Sequence, residues 1–595
     1  MKYLKSKYRT HLCSELRLAD QGKQVTLSGW ISRKRDHGGV VFVDLRDNYG
    51  ITQVVFHDEL REKIQKLRLE AVISVTGKVL PRGEGLENPK LKTGEIEVHC
   101  DSFEVLGGSD VLPFQVAEDD NAPEAIRLKY RFLELRRDKL HSNILFRTEF
   151  FKRVREIMQE LGFYEFQTPI LTSSSPEGAR DFIVPSRLHP GKFFALPQAP
   201  QQFKQLIMVA GFDRYFQLAP CFRDEDARAD RSPGEFYQID IEMSFVEQQD
   251  VFAVNEELMS RLYGSFSEWK LDKPPFKRIR YEDAILTYGT DKPDLRNPLR
   301  IDKVNDVFKD TEFRVFRTLL ERGEDLFAIK VEGADLPSRK YFDDTIKEFT
   351  AWSNLGLAYL VIEHDGFKGS IAKFISEREV TSLKAALSLD GPGIVFIAGG
   401  EKQQVLPWLG KLRDKLGADF NLIEEGAFRF CWITDYPLYE RGENGEIEFS
   451  HNPFSMPQGG LEALNSSDPL EIYAYQYDLV CNGLELGSGA IRNHLPEVMY
   501  RAFEIAGYPR EAVDEKFGAM IRAFRFGTPP HGGIAFGIER MIMQLVGEAA
   551  IREVIMFPLA QTGEDLMMGA PSEVSEKQLE EVHIRVVLPE KHHKK

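Results

Sequence analysis

The sequence has no hydrophobic run that approaches the ~20 apolar residues of a membrane span, and its first residues include no apolar segment typical of a signal peptide. Its five cysteines form no CxxC pair and no short cluster. This spacing argues against a zinc site or a disulfide framework and predicts reduced, buried thiols. We therefore expect a cytoplasmic protein with no membrane partner.

An excess of positive charge is also missing. Lysine and arginine number 77, aspartate and glutamate number 93, and the formal net charge is −16. This balance argues against a uniformly basic nucleic-acid-binding protein, but phosphate contacts need only a local patch, and Arg33, Lys34 and Arg35 form one. Three neighbouring cations are equally typical of a solvated surface, so both interpretations stay open.

What is present is the composition of a folded protein, with 42% apolar and 29% charged residues. A chain of 595 residues exceeds what one hydrophobic core usually holds, and typical domain sizes predict about three or four domains. Strand and helix patterns both occur along it. The sequence therefore predicts a multidomain α+β protein.

The N-terminal part alternates as short strands, with one helical stretch ahead of the fourth strand. The predicted strands are residues 25–31, 39–45, 51–56, 72–79 and 95–106, and the helical stretch is 60–69. This order fits an OB-fold, a Greek-key barrel whose open face binds single-stranded oligonucleotides, although a generic small β-barrel fits equally. We assign residues 1–108 to this domain and 109–135 to a linker.

The rest of the chain predicts one domain split by another. Apolar residues from Phe151 to Leu161 cover one helical face, and Gly162 ends that helix. A turn-rich break at 290–298 is followed by helix and strand patterns that lack the charged motifs on either side. The predicted domains are a catalytic domain in two parts, 136–299 and 423–560, around an inserted α/β domain, 300–422, with a C-terminal extension, 561–595.

Two segments carry candidate phosphate chemistry. Arg223 and Glu225 lie two positions apart on a predicted strand, so they point the same way. A guanidinium binds two phosphate oxygens at once and can stabilise a leaving pyrophosphate, but such a pair equally forms a surface salt bridge. Residues 527–540 form a glycine-rich strand that leads into a helix at Arg540, and this pattern is neither a P-loop nor a Rossmann fingerprint.

Together with residues 163–169, which contain Pro169, these two segments resemble in order the three signature motifs of class II aminoacyl-tRNA synthetases. The resemblance implies an antiparallel catalytic sheet, ATP as substrate, and a homodimer around the first motif. It assigns Arg223 to the α-phosphate, Phe236 to stacking on adenine, and Arg540 to the γ-phosphate and the other adenine face. The other ATP-binding residues that it implies are Asp224, Glu225, Ser232, Glu485, Gly537, Ile538 and Glu539.

The amino-acid pocket resembles that of the bacterial aspartyl enzymes, within the aspartate, asparagine and lysine subgroup that carries an N-terminal OB-fold. The similar segments are 175–181, 198–205 and 487–492. The resemblance implies that Glu177 and Gln201 hold the ammonium of L-aspartate, that Lys204 and Arg492 pair with its side-chain carboxylate, and that Asp240 orients Lys204; Arg223 and His451 complete the set. Two cations facing one carboxylate would reject asparagine, whose amide leaves buried charge unpaired.

Asp478 and Glu485 resemble the carboxylates that hold Mg²⁺ on the ATP phosphates, although two acids at this spacing are more typical of surface charge. No catalytic base is needed, because the substrate carboxylate attacks the α-phosphorus directly. Arg223 and Arg540 are therefore the catalytic candidates. The sequence departs from the commonest pattern at Ala199, at Asn452 and in the loop 232–234, which contains Ser232.

Five barrel residues fall where related enzymes bind the anticodon: Arg35, Phe42, Gln53, Arg82 and Asn88. Phe42 alone is more typical of a core. The pair His37 and Gly85 resembles the relaxed bacterial form that aspartylates tRNA(Asn) as well as tRNA(Asp), after which an amidotransferase converts the product to Asn-tRNA. A small glycine removes a discriminating contact, but loop variation without consequence remains an alternative.

The expected function is ATP-dependent aspartylation of tRNA(Asp) and tRNA(Asn) through aspartyl-adenylate. The first alternative is an enzyme specific for tRNA(Asp). An asparaginyl enzyme would lack the insertion and the Lys204 and Arg492 pair, and a paralogue making a free amino-acid amide would need no barrel. A non-catalytic RNA-binding paralogue would lose Arg223, Glu485 or Arg540, and all three are present.

Overall fold

The computed structural model describes residues 5–118, 120–174, 179–226, 234–333, 335–442 and 444–588. Its contacts divide the chain into two units, Met1–Ile144 with Met556–Ser572 and Leu145–Ile555 with Glu573–Lys595. Within the described ranges, no helix has the length and the apolar character that crossing a membrane requires. The five cysteines are free and buried, as predicted.

The first unit contains a closed barrel. Its elements are β1 (Gln24–Asp36), β2 (Val41–Arg46), β3 (Ile51–Phe56), α1 (Asp58–Gln65), β4 (Val72–Pro81) and β5 (Ile96–Gly107). The strands close in the order β1-β2-β3-β5-β4, and alternate residues such as Val25 and Leu27 point into the core. The predicted OB-type barrel, with its helix ahead of the fourth strand, is confirmed.

The segment predicted as a linker contains two short helices, α2 (Glu124–Lys129) and α3 (Arg131–Glu134). Arg131 is buried, and it donates to Glu134 Oε2 at 2.6 Å and to the carbonyl oxygen of Met556 at 3.1 Å. These bonds neutralise a buried cation and hold the returning segment against α3. The linker is therefore packed into the first unit rather than simply extended.

A long helix and the first strands of the large sheet follow. The elements are α4 (Asp138–Glu160), β6 (Tyr164–Glu165), β7 (Ile183–Pro185), β8 (Phe193–Ala195), α5 (Gln201–Val209), β9 (Arg214–Arg223), β10 (Gly234–Ser244), α6 (Gln248–Phe266), β11 (Lys270–Leu271), β12 (Lys277–Arg280) and α7 (Tyr281–Tyr288). The α4 stripe predicted from Phe151 to Leu161 packs into the main core, and Gly162 has a φ of +80°, a conformation that suits glycine after a helix.

The predicted insertion is a sheet with helices on both faces. Its elements are β13 (Ile301–Lys303), α8 (Asn305–Phe308), α9 (Arg314–Glu321), β14 (Asp325–Glu332), α10 (Arg339–Ser353), β15 (Leu357–Glu363), β16 (Gly366–Gly369), α11 (Glu377–Ala386), β17 (Gly393–Gly400) and α12 (Lys402–Asp419). The sheet order is β13-β14-β17-β15-β16, with every pairing antiparallel. Separate apolar clusters cover its two faces, which explains the continuous apolar runs in β14 and β17.

The second part of the large sheet follows the insertion. Its elements are β18 (Ala427–Phe428), β19 (Phe430–Pro437), β20 (Tyr439–Arg441), β21 (Ile447–Phe449), α13 (Gly460–Ser466), β22 (Tyr473–Cys481), β23 (Leu484–Ile491), α14 (Pro496–Ile505), α15 (Arg510–Phe524), β24 (His531–Gly537) and α16 (Ile538–Val546), and α17 (Glu576–Glu581) lies near the end. In the described residues, the sheet order is β12-β19-β22-β23-β24-β10-β9-β6.

Six strands of this sheet, β19 to β9 in that order, pair antiparallel, and only the edge strands β12 and β6 pair parallel. Side chains of α4, α6 and α16 pack against one face and form the main core. The predicted antiparallel catalytic sheet is confirmed. Because β10 pairs with β9 on one side and with β24 on the other, residues far apart in the sequence become neighbours.

Candidate active site

A cavity of about 350 Å³ lies in the second unit and collects most of the residues predicted to bind aspartate and ATP. It is bordered by α5, β9, β10, β23, β24, the start of α16 and the loop 451–454. The predicted residues that line it are Gln201, Lys204, Arg223, Glu225, Phe236, Asp240, His451, Glu485, Arg492, Gly537, Glu539 and Arg540. The motifs of two separated chain segments therefore meet at one place.

Four buried charges form one cluster, and three of them, Lys204, Asp240 and Arg492, line the cavity. Lys204 Nζ lies 2.7 Å from Asp240 Oδ1 and 3.3 Å from Glu242 Oε2. Glu242 also accepts two hydrogen bonds from Arg492, from Nε at 2.9 Å and from Nη2 at 3.1 Å. Each of these four side chains is at most 1% exposed. The sequence predicted Lys204, Asp240 and Arg492 but missed Glu242, which joins the two cations.

Strand geometry explains why Glu242 belongs to this cluster. It lies two residues after Asp240 on β10, so both carboxylates point to the same face of the sheet. On the neighbouring strand, a Cβ at Gly533 would lie 2.0 Å from the carbonyl oxygen of Ile241 and 2.2 Å from Glu242 Oε2. Glycine at 533 thus leaves the space that Glu242 occupies. The alternation of acidic and apolar residues in β10 was the signal that could have identified it.

Burial and neighbouring charges shift the pKa values of Asp240 and Glu242 in opposite directions. Burial raises the pKa of Asp240, and the adjacent Lys204 ammonium only partly opposes this. Burial also acts on Glu242, but the charges of Arg492 and then Lys204 outweigh it and lower the pKa of that carboxyl. Glu242 is therefore ionised at neutral pH, and a buried anion of this kind holds both cations in place.

Two arginines, Arg223 and Arg540, also line the cavity. Arg223 ends β9, and its guanidinium carbon lies 5.0 Å from the centroid of the Phe236 ring. The strand ends there, so Glu225 lies beyond it, although both residues line the cavity. Arg540 Nη1 donates to the carbonyl oxygen of Glu485 at 3.0 Å, which ties the start of α16 to β23.

Three of the predicted ATP residues have other contacts. Ile538 is buried in the main core and Asp224 pairs with Arg180, and neither is among the residues that line the cavity. Glu539 lines the cavity, but its carboxylate accepts from Arg147 at 2.6 Å and from the Tyr237 backbone N–H at 3.1 Å. Its role is therefore at least partly to anchor α16. Glu177 and Ser232 lie outside the described residues.

The two predicted metal ligands approach each other from β22 and β23. Asp478 is buried, its Oδ2 accepts from the Tyr436 hydroxyl at 2.8 Å, and Oδ1 has no hydrogen bond of good geometry within the described residues. Burial, and then the charge of Glu485, raises the pKa of Asp478 to about 7. Glu485 Oε2 in turn lies 3.3 Å from Lys292 Nζ, a cation that the sequence did not predict.

The two predicted ligands, Asp478 and Glu485, are fewer than a divalent ion usually takes from protein alone. In the part of the chain that the structure describes, no group of three or more His, Cys, Asp or Glu side chains is arranged as a metal site. A buried carboxylate oxygen that lacks a good partner fits a hard cation whose other ligands come from phosphate and water. The residues present are therefore compatible with Mg²⁺ bound jointly with a nucleotide.

The loop after β21 carries His451 and Asn452. The His451 ring lies edge-on to Tyr436, with 4.9 Å between centroids, and its Nδ1 is 2.7 Å from the Ser450 hydroxyl oxygen. The Asn452 side-chain oxygen accepts the backbone N–H of Phe454 at 2.9 Å. Asparagine at this position therefore stabilises the turn, which gives a structural reason for the departure noted in the sequence.

In the first unit, the barrel brings three predicted anticodon residues together. Arg35 pairs in register with Phe42, and Asp44 with Gln53, so these four side chains share one face of β1, β2 and β3. Arg35 Nη2 donates to Asp44 Oδ1 at 2.8 Å and to Gln53 Oε1 at 3.0 Å. The hydrogen bond from Gln53 Nε2 to Glu97 Oε2, at 2.8 Å, extends the network to β5, and the sequence missed both acids.

Of the two predicted discrimination residues, His37 lies near this face and Gly85 lies in the loop after β4. His37 contacts Phe42 edge-on, with 5.4 Å between ring centroids. Gly85, like Asn88, follows β4; a Cβ on Gly85 would meet nothing within 4 Å. Its φ of +76° is by itself a reason for glycine. Arg82 donates from Nε to the carbonyl oxygen of Ile96 at 3.1 Å, and burial lowers its pKa.

Known protein families match both the region that contains the cavity and the barrel. A family model described as tRNA synthetases class II (D, K and N) matches residues 123–561, and one described as an OB-fold nucleic acid binding domain matches residues 25–106. A relative named aspartate–tRNA(Asp/Asn) ligase from Gluconobacter oxydans is 55% identical over 591 residues, 98% of each chain. A relative with the same name from Rickettsia bellii is 54% identical over 587 residues, 97% of this chain and 98% of the other.

Solved structures share the fold at low sequence identity. An asparaginyl-tRNA synthetase from Pyrococcus horikoshii is 19% identical with a TM-score of 0.56, covering 92% of this chain and 97% of that chain. An aspartyl-tRNA synthetase from Entamoeba histolytica is 20% identical with a TM-score of 0.55, covering 91% and 89%. The second and third motifs meet at one cavity, and the family model matches more than half of the chain, so the chain belongs to the class II tRNA synthetases of the D, K and N group.

Proposed function

We propose that the chain is an aspartate ligase that forms aspartyl-adenylate from aspartate and ATP and transfers the aspartyl group to tRNA. The observation that carries the proposal is the buried cluster of Lys204, Asp240, Glu242 and Arg492 at a cavity that also contains Arg223 and Arg540. The names of the relatives support the same substrate.

The cluster favours aspartate through charge. Glu242 and Asp240 hold Lys204 and Arg492 rigidly, so their remaining N–H groups are aimed before a ligand enters. The side-chain carboxylate of aspartate would accept these donors, whereas an asparagine amide would bring its own N–H groups against them. Uncompensated buried groups of this kind cost several kcal/mol, on the order of a hundredfold or more in selectivity.

Activation would then proceed by attack of the substrate α-carboxylate on the α-phosphorus of ATP, with pyrophosphate leaving. Arg223 would neutralise charge on the α-phosphate and Arg540 on the γ-phosphate, while Phe236 supports the adenine. Positioning and electrostatic stabilisation carry such a reaction without a catalytic base. Asp478 and Glu485 would hold Mg²⁺, which when bound supplies positive charge next to the phosphates.

The barrel face formed by Arg35, Phe42 and Gln53 would bind the anticodon, with Arg82 and Asn88 at its border. An aromatic ring to stack a base and polar groups to contact base edges suit a single-stranded loop. With His37 and the side-chain-free Gly85 at the discrimination positions, we propose that both tRNA(Asp) and tRNA(Asn) are charged. Asp-tRNA(Asn) would then require a tRNA-dependent amidotransferase.

We also propose a homodimer that acts in the cytoplasm, where tRNA is charged. The first motif and the region after it expose many large apolar side chains, among them Tyr164, Leu171, Ile183, Leu188 and Phe193. Soluble monomers rarely expose this much apolar surface in one segment. A second copy of the chain would cover it, and sedimentation measurements would detect the dimer.

The test of the proposed function is aspartate-dependent exchange of pyrophosphate into ATP, with asparagine and lysine as competing substrates. The purified chain should exchange with aspartate alone, and Arg223→Ala should lose exchange while its affinity for tRNA is nearly unchanged. Exchange that prefers asparagine would overturn the amino-acid assignment. Normal exchange by the Arg223 variant would overturn the assignment of that residue.

A further inference from the structure

A chain of three hydrogen bonds links the backbone of Pro529 to the amide of Gln201 at the cavity. His531 Nδ1 lies 2.9 Å from the carbonyl oxygen of Pro529, and His531 Nε2 lies 3.1 Å from Gln205 Nε2. Gln205 Oε1 accepts from Gln201 Nε2 at 2.9 Å. His531 and Gln205 are fully buried, and only Gln201 lines the cavity.

The direction of every bond in this chain follows from its first member. A carbonyl oxygen can only accept, so His531 Nδ1 must carry a proton. Burial lowers the pKa of His531 to about 4, which keeps the ring neutral and leaves Nε2 as an acceptor. Gln205 must therefore present its NH₂ group to His531 and its oxygen to Gln201.

The orientation of the Gln201 amide follows from that of Gln205. Because Gln205 offers an oxygen, Gln201 must donate its NH₂ group to it, and its own oxygen must point elsewhere. Gln205 does not engage that Oε1, and Gln201 borders the cavity beside Lys204. An amide oxygen held in this way is an acceptor suited to an ammonium group.

We propose that His531 and Gln205 are positioning residues that hold Gln201 with its carbonyl oxygen toward the ammonium of the amino-acid substrate. This inference rests on the proposed aspartate activity, in which Gln201 contacts that ammonium. Neither residue touches the substrate. A free glutamine amide presents oxygen or NH₂ with similar ease, so the hydrogen-bond chain removes the orientation that would repel a cation.

If His531 had a purely structural role, its loss would affect ligand binding differently. Its ring also packs near Phe524, with 6.4 Å between centroids, so its loss would loosen the core in any case. Loosening would weaken every ligand of the pocket alike. Loss of the orientation would weaken only ligands that carry an ammonium group.

Succinate separates these two roles, because it has the carbon chain and both carboxylates of aspartate but no ammonium group. The experiment compares the KM for aspartate in pyrophosphate exchange with the inhibition constant of succinate, in the wild-type chain and in His531→Ala and Gln205→Met. We expect the KM for aspartate to rise about tenfold or more, as for a lost hydrogen bond to a charged group, and succinate inhibition to stay within about twofold.

Two further variants keep the result interpretable. His531→Gln places an amide oxygen near the position of Nε2 and should restore most of the affinity for aspartate. Phe524→Leu disturbs the packing of the same ring and should leave the ratio of the two constants unchanged. Thermal melting of each variant checks that it folds, and Gln205→Met serves if His531→Ala does not.

Equal weakening of aspartate and succinate, or no change in either, would overturn the positioning role. A wild-type chain that catalyses no aspartate-dependent exchange would instead refute the proposed function itself. If the wild-type chain is active and the ratio of the aspartate KM to the succinate inhibition constant is unchanged in both His531→Ala and Gln205→Met, only the role of the hydrogen-bond chain is refuted. The two failures are therefore distinguishable.

Discussion

The Glu242 carboxylate accepts hydrogen bonds from both Nε and Nη2 of Arg492, at 2.9 and 3.1 Å, and neither side chain is more than 1% exposed. A two-pronged contact of this kind fixes the plane of the guanidinium as well as its charge. The same carboxylate lies 3.3 Å from Lys204. Glu242 therefore controls the position of both cations that we assign to the substrate carboxylate.

The first prediction concerns this residue. Glu242→Gln should destabilise the chain by about 3–5 kcal/mol, because it leaves a buried arginine without its anion. Aspartate-dependent exchange should fall at least about a hundredfold, since Arg492 and Lys204 lose their fixed positions. Chemical denaturation and exchange kinetics measure the two effects. Glu235→Gln makes the same change at an exposed position of β10 and should do neither.

The second prediction concerns the proposed ion. Asp478→Asn keeps an oxygen for the Tyr436 hydroxyl but removes the charge, so the Mg²⁺ concentration for half-maximal exchange should rise about tenfold or more. Stability should hold or increase, because the pKa of Asp478 is raised to about 7 by burial and by Glu485, and this carboxylate is costly to ionise.

A titration of exchange with Mg²⁺ at saturating ATP and aspartate makes the measurement. Glu515→Gln removes one negative charge from the exposed side of α15 and is the control. An unchanged magnesium requirement in Asp478→Asn would remove Asp478 from the proposed metal site.

The third prediction concerns acid stability. The pKa of His531 is lowered to about 4 by burial, below the ordinary value of 6.5, so the unfolded chain binds this proton more readily than the folded chain. Stability from this group is complete above pH 6.5 and is lost as the pH falls toward 4; at pH 5 the loss is about 2 kcal/mol.

Melting temperatures of the wild-type chain and His531→Gln, compared at pH 7.5 and pH 5, test this linkage. The wild-type chain should lose more stability on acidification than the variant, because glutamine does not titrate. Parallel losses in the two proteins would show that His531 is not buried in its neutral form.

The fourth prediction concerns tRNA choice. The double variant His37→Leu with Gly85→Lys should reduce charging of tRNA(Asn) relative to tRNA(Asp) about tenfold, because space around Gly85 is open and a long side chain there can contact a base. Aspartylation of both transcripts side by side gives the ratio. A wild-type chain that fails to charge tRNA(Asn) at a useful rate would refute the relaxed specificity.

Gly22→Lys is the matched control for backbone strain. Gly22 lies in the same unit with a φ of +84°, and its surroundings are equally open. This variant should lose a similar amount of stability without a change in tRNA preference. A shift in preference with this control would point to general disturbance of the barrel.

Much of the fold was predictable because the helices and strands follow from local sequence patterns. The barrel strands alternate with period two, and the α4 stripe ends at Gly162 with a positive φ. Strand β9 was less predictable: its end at Arg223 lies two residues before Glu225, because the chain leaves the sheet there. The linker also packs more tightly than its polar sequence suggested, through buried Arg131.

Sequence patterns sufficed to predict the three motifs, the barrel and the residue types that could bind a nucleotide and an anionic amino acid, because these depend on spacing along one segment. The groups that complete them are set by the folded arrangement. Glu242 lies two residues from Asp240 on one strand, but its partner Arg492 follows β23. His531 and Gln205 likewise meet from different elements. Counter-ions and hydrogen-bond directions depend on proximity in space, so a pattern along the chain can suggest a residue without specifying its partner.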